Sequence, residues 1–219
     1  MTAQDIMEQA AKVYMNDSAQ NIWTNVVLLP YLTKANEDLQ RELLVYEIQT
    51  LKEASAVIQV AIDATTVAQP IDFISPIDMR ERVSASSDSW KDVDEVEYVD
   101  EDLSVNKSTT LDEWAWRDLT LYVNPPTTAR EVKLHYTRLL TALTATGSTV
   151  EIDIAKGYLS ARTAQLASTN GGNSPEKGAI LQPEVDISLD RVLRHLSNIQ
   201  QGITGARRKR FRGRRQVVI

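Results

Sequence analysis

A chain of 219 residues with no cysteine has room for one large domain or two small ones, needs no covalent staple, and forms no disulfide or thiolate metal site. Its formal charge is −6, yet seven of its 24 Lys and Arg residues lie in Gly205–Ile219, a segment without an acid. Without those seven, 17 bases face 30 acids, a body charge of −13 that disfavours a general nucleic-acid surface.

The opening Met1–Asn16 is polar with acids near its start and does not read as a secretory signal. Thr2–Met15 predicts a short helix with Ile6, Ala10, Val13 and Tyr14 as its apolar stripe, ended by the turn formers Asn16, Asp17 and Ser18. A long helix follows, striped by Leu28, Leu32, Ala35, Leu39, Leu43 and Tyr46. Pro30 must sit near its start or kink it, because proline has no N–H and crowds the preceding turn. The short connection predicts an antiparallel pair.

Past Glu53 the period changes. Ala56–Ile62 is β-branched and reads as a strand. Pro70 and Pro76 bracket a short extended stretch, IDFIS, in a loop, and the small polar residues Ser84–Ser89 read as loop too. Leu119, Leu121 and Val123 share one strand face, as do Val132, Leu134 and Tyr136, with Lys133 and His135 opposite. The intervening NPPTTAR is too long for a two-residue hairpin. These segments predict an antiparallel β module.

After the Thr/Ser/Gly-rich stretch Thr141–Thr149, helical spacing returns. Glu151–Ser168 places Ile154, Tyr158, Ala161 and Gln165 in one row, and NGGNSP (Asn170–Pro175) ends that helix. A last helix over about Asp186–Thr204 carries Leu189, Val192, Leu193, Leu196, Ile199 and Ile203. Elements grouped in this order predict an α+β fold: a four-helix bundle, an inserted antiparallel β module and an extended basic C-terminal arm. The divisions fall at 1–53 and 141–204 for the two halves of the bundle, 54–140 for the β module and 205–219 for the arm.

Catalytic templates fail. A serine nucleophile would need His135 or His195 as its base, and both read as surface or boundary residues. GGNSPEKG (Gly171–Gly178) lacks the order of a phosphate-binding loop and lies between helices, as a flexible turn. The acids Asp92, Asp94, Glu95, Glu97, Asp100, Glu101 and Asp102 lack the EF-hand pattern. They read as a solvated edge or, alternatively, as a loop that repels passing DNA. Trp114 and Trp116 share a strand face and read as core or interface, since Asp112, Glu113 and Asp118 around them disfavour base stacking. The expectation is no enzyme, no cofactor and no metal.

Order and residue character together resemble the head-to-tail connector, or neck adaptor, proteins of tailed bacteriophages. The resemblance is carried by VYMNDSAQNIWTNVVLLPYLTKANEDL (Val13–Leu39), PIDFISPIDMRER (Pro70–Arg82), LDEWAWRDLTLYV (Leu111–Val123), GYLSARTAQLASTNGGN (Gly157–Asn173) and an Arg-rich terminus. It implies a virion protein in the neck, made in the host cytoplasm. Its copies would form a ring, usually of twelve, beneath the portal, extend the DNA channel used in ejection, and receive stopper, nozzle or tail proteins. It further implies that the C-terminal arm docks on the portal through Arg207, Arg208, Lys209, Arg210, Phe211, Arg212, Arg214, Arg215, Val217, Val218 and Ile219. Arginine suits that role because its planar fork pairs with carboxylates. Such an arm would be disordered in the free subunit and would order on docking. The alternative is a viral or phage nucleic-acid-binding protein whose Arg-rich arm grips phosphates.

Overall fold

Thr2 opens the first helix, α1 (Ala3–Gln9), with a capping box: its hydroxyl accepts from the Asp5 N–H, and the Asp5 carboxylate accepts from the Thr2 N–H at 2.8 Å. The structure, a computed structural model, describes residues 1–84, 88–96, 107–172 and 174–204. It divides into a helical unit, Met1–Gln49 with Ala142–Ile219, and a sheet unit, Thr50–Thr141.

In the helical unit α1 continues as a π turn, Ala10–Tyr14. Ile6 and Ala10 are buried as the spacing predicts, but Val13 is 65% exposed, because the wider π turn carries it off the 3.6-residue stripe. The Asp17 carboxylate then accepts from the N–H groups of Asn21, Ile22 and Trp23 at 3.1, 2.9 and 2.8 Å. These three bonds hold its pKa below the usual value and shape the turn into α2 (Asn25–Val45), capped by Thr24. Leu28, Leu32, Ala35, Leu39 and Leu43 of α2 are fully buried, whereas Tyr46, just past its end, is exposed. Pro30 lies inside α2, at its sixth position.

A 3₁₀ turn, Asp153–Ala155, leads into α3 (Lys156–Leu166), which runs on as a second π turn, Ala167–Gly171. The last helix, α4 (Pro175–Thr204), starts eleven residues before the predicted boundary and contains Pro183. Helix α3 packs against α1, α2 and α4. Tyr158, Leu159, Ser160, Ala161, Thr163, Ala164 and Gln165 are all buried, so it is covered nearly all round. The small residues let three neighbours approach, and the Ser160 hydroxyl donates to the Ile6 carbonyl at 3.3 Å.

This arrangement corrects the predicted four-helix bundle. The helices do not share a central core as equal neighbours; α3 is a hub enclosed by the others, and α1 is barely two turns long. A chain of side-chain hydrogen bonds fixes three of them. Arg162 donates to Asp38 of α2 at 2.6 and 3.0 Å and to Gln165 at 2.7 Å. Gln165 donates to Gln182 of α4 at 2.6 Å, and Gln182 to Asp186 at 2.7 Å.

The sheet unit departs further from expectation. In place of a small antiparallel module it holds an eight-stranded mixed sheet curled into a half-barrel. The strands are β1 (Lys52–Ala54), β2 (Ile58–Val60), β3 (Thr66–Val67), β4 (Phe73–Val83), β5 (Lys91–Glu95), β6 (Glu113–Arg117), β7 (Thr120–Val123) and β8 (Arg130–Arg138). Their order is β1-β8-β4-β5-β6-β7-β3, with β2 continuing the β1 edge along β8. Ser55 spans the gap in that edge: its N–H donates to the Leu134 carbonyl at 2.8 Å, and its hydroxyl accepts from the Leu134 N–H at 3.0 Å.

Three physical features hid this sheet. Pro76 lies within β4 at a register shift, where a bulge tolerates a residue that cannot donate. Acid-rich β5 pairs in parallel with β6, Asp94 opposite Glu113 and Glu95 opposite Trp114, so the sheet is mixed. Leu119 is not on the strand face. With Asp118 it makes a two-residue turn between β6 and β7, φ 58° and 47°, and it is 77% exposed.

The concave side is packed by Met79, Val93, Leu111, Trp114, Leu121, Val123, Val132, Leu134 and Tyr136. Phe73 stacks on Tyr136 at 5.6 Å and meets the edge of Trp116 at 5.1 Å. An ion pair between Glu81 and Arg130 is buried with this core.

Candidate assembly surfaces

The residues predicted to bind the portal, Arg207 to Ile219, lie outside the described residues. Their attachment is defined: they follow α4, whose thirty residues end at Thr204 and span about 45 Å. Cations beyond a helix C-terminus also complement its dipole. Of the acidic segment, Asp92, Asp94 and Glu95 lie on β5, and Asp92 pairs with Arg80 at 2.9 Å; Glu97, Asp100, Glu101 and Asp102 fall outside the described residues.

The other candidates that fall among the described residues are held in local contacts or lie exposed. Asp112 accepts from the Ser108 and Thr110 hydroxyls at 2.7 and 2.5 Å, which holds its carboxyl below the usual range. Glu113 is exposed on β6, and Asp118 pairs with its chain neighbour Arg117 at 3.3 Å. Trp114 is a core residue, 1% exposed, donating from its indole N–H to the Val93 carbonyl at 3.2 Å. His135 lies on the outer face of β8 against Asp78 in the sheet unit, and His195 is exposed on α4 in the helical unit. Among the described residues no group of His, Asp and Glu could hold a metal ion.

The convex face of β4 and β8 carries a charged lattice in which Arg82 binds Glu131 at 2.7 Å. Arg82 and Lys133 both lie over the Trp90 ring, 4.6 and 4.8 Å from its centre. This tryptophan stands within the acidic segment in sequence, yet it is clasped by cations.

Sequence reasoning missed a cleft in the helical unit. It has a volume of about 430 Å³ and opens where the two π turns end, with Tyr14, Ile22, Trp23, Gly172, Lys177 and Ile180 among its walls. Ile22 and Ile180 are 71% and 76% exposed at its lip. The glycines read as a flexible turn are fitted against Trp23. A Cβ on Gly171 would come within 2.7 Å of the Tyr31 hydroxyl and 3.3 Å of the Trp23 ring, and one on Gly172 within 3.4 Å of that ring. A tryptophan just before a helix cap and a Gly-Gly pair 148 residues later in the chain were the available signals. At the opposite end of α2, Val45 and Tyr46 are exposed together, 76% and 57%.

Exposed apolar surface of this kind on the helices is a common place for a protein partner to dock. A family model described as SU10 adaptor protein matches residues 1–213, nearly the whole chain and more than half of the basic arm. No curated protein matches. With that span matched, the chain belongs to the SU10 adaptor protein family, a family of structural phage head–tail adaptors that associate with portal and tail proteins in the virion.

Proposed function

We propose that copies of this protein form a ring beneath the portal, extend the DNA channel and give the stopper or tail proteins their seat, with the C-terminal arm docking on the portal. The observation that carries this reading is the family match across residues 1–213 in a chain whose cationic residues are concentrated after its last helix. Six arginines in Arg207–Arg215 suit a carboxylate-bearing protein surface, because each fork can make two parallel hydrogen bonds. Repeating that contact around a ring multiplies a modest affinity. The acidic body favours protein over nucleic acid as the arm's partner, since a body of −13 would repel the phosphates that the arm would have to approach.

Deleting 205–219 tests this directly. The truncated chain should keep its helical circular dichroism and lose co-sedimentation with purified portal rings. Normal assembly of the truncated protein on portals would refute arm docking. Duplex DNA bound as tightly as portal, and weakening steeply between 50 and 200 mM salt (about 10³-fold or more for six or more phosphate contacts), would transfer the arm to the nucleic-acid reading.

A further inference from the structure

The cleft beside Trp23 and the exposed pair Val45–Tyr46 lie at opposite ends of α2. Trp23 immediately precedes the cap residue Thr24, and Tyr46 is the residue that closes the helix. Twenty-one residues of helix separate them by about 30 Å, so no copy can fill its own cleft with its own Tyr46. Both surfaces are apolar and uncovered, and a volume of about 430 Å³ is within the range that accepts a drug-sized ligand, ample for one aromatic and one aliphatic side chain.

Charge selects the occupant. Lys177 lines the cleft, and its ammonium has no hydrogen bond or ion pair among the described residues. That unpaired ammonium disfavours the seven cations of this chain's own arm as the occupant. Tyr46 is flanked by Glu47 and, one helical turn back, by Glu42; Glu47 is exposed, Glu42 half-buried, and neither has an ion-pair partner among the described residues. An apolar knob with two free carboxylates fits an apolar cleft with one free ammonium.

We infer that Val45 and Tyr46 of one copy seat in the Trp23 cleft of the next, with Glu42 and Glu47 facing Lys177. The two surfaces differ, so each copy gives one and receives one; the contact is head-to-tail and propagates until it closes. It rests on the reading that copies stand side by side in a ring, and it names the faces that meet.

The absence of native cysteine makes the test specific. Gln49→Cys, exposed beside the Val45–Tyr46 pair, and Ala179→Cys, exposed beside the cleft lip, singly and together in the full-length chain, are treated with a short bis-maleimide, both free at high concentration and on portal rings. The double variant should give a ladder running beyond the dimer, and each single variant should give none. In parallel, Glu47→Lys or Lys177→Glu should weaken self-association about tenfold, and the two together should restore most of it. Multimers by sedimentation velocity without a ladder overturn this contact and leave the ring standing. A chain that stays monomeric both free and on portals, again without a ladder, overturns both. Normal thermal unfolding of the variants rules out misfolding as the cause of a negative result.

Discussion

Replacing Glu81 by alanine removes one half of an ion pair that is almost completely buried: Glu81 is 1% exposed and Arg130 4%. One Glu81 oxygen takes both the Nε and an Nη of Arg130, so the substitution leaves a guanidinium in the barrel interior without its counter-charge. Breaking such a pair costs about 3–5 kcal/mol, a large part of the 5–15 kcal/mol that typically holds a domain together. With a urea dependence of about 2 kcal/mol per molar, the midpoint should fall by roughly 2 M. Three of the four tryptophans, Trp90, Trp114 and Trp116, lie in the sheet unit and Trp23 in the helical unit. Fluorescence therefore follows mainly the sheet, while ellipticity at 222 nm follows mainly the helices. The loss should appear in the fluorescence transition first. Combining Glu81→Leu with Arg130→Met should recover most of it, because the cost arises from a stranded charge and not from the pair's intrinsic strength. A fall below about 0.5 M, or a double variant as unstable as the sum of the singles, would refute the argument.

Tyr136 supplies a pH test. Burial, and then the hydrogen bond its phenol donates to Asp72 at 2.9 Å, push its pKa up to about 12. The unfolded phenol ionises near 10, so this contribution is complete below pH 10 and disappears as pH rises towards 12. Tyr136→Phe should cost about 1 kcal/mol at neutral pH and flatten the alkaline decline, read from unfolding midpoints alongside phenolate absorbance. Gly171→Ala drives a methyl against Tyr31 and Trp23; a cost of about 1–3 kcal/mol with a shifted Trp23 emission is expected, and wild-type stability would show that the π turn yields freely.

Hydrophobic period carried much of the fold and little of the surface. The rows Leu28–Leu43 and Val132–Tyr136 stand buried because one face of each element meets the core and the other meets solvent, the condition under which periodicity is informative. Helix α3 violates that condition: covered on several sides, it presents small and polar residues all round, and its place as hub could not be read from spacing. Strand β5 was masked by its acids, the β6–β7 turn by a leucine at positive φ, and the fate of Val13 by a π turn with no sequence signature. The cationic terminus stands out through charge alone, which reports composition and not location. The Trp23 cleft depends on two π turns converging from distant parts of the chain, a tertiary coincidence invisible to a local reading.

The point at which the chain leaves α4 depends on how that helix is held. Its buried seam is narrow, Gly178, Val185, Ser188, Val192 and Leu196 among the residues whose burial is described, with a glycine and a serine among its five members, while Ile180, Ile187 and Ile199 face outward. Apolar burial is non-directional, so this seam alone discriminates weakly between α4 in its observed register and α4 slipped by one turn. The hydrogen-bonded chain Asp38–Arg162–Gln165–Gln182–Asp186 supplies what the seam lacks. A slip of one turn moves Gln182 by about 5.4 Å and breaks the Gln165–Gln182 contact. A buried amide left unpaired costs about 1–3 kcal/mol, and Gln165, 6% exposed, has little access to water as a substitute. The same slip would displace the root of the arm by the same distance, so the residues that fix α4 against α3 also fix the point from which the cationic terminus departs.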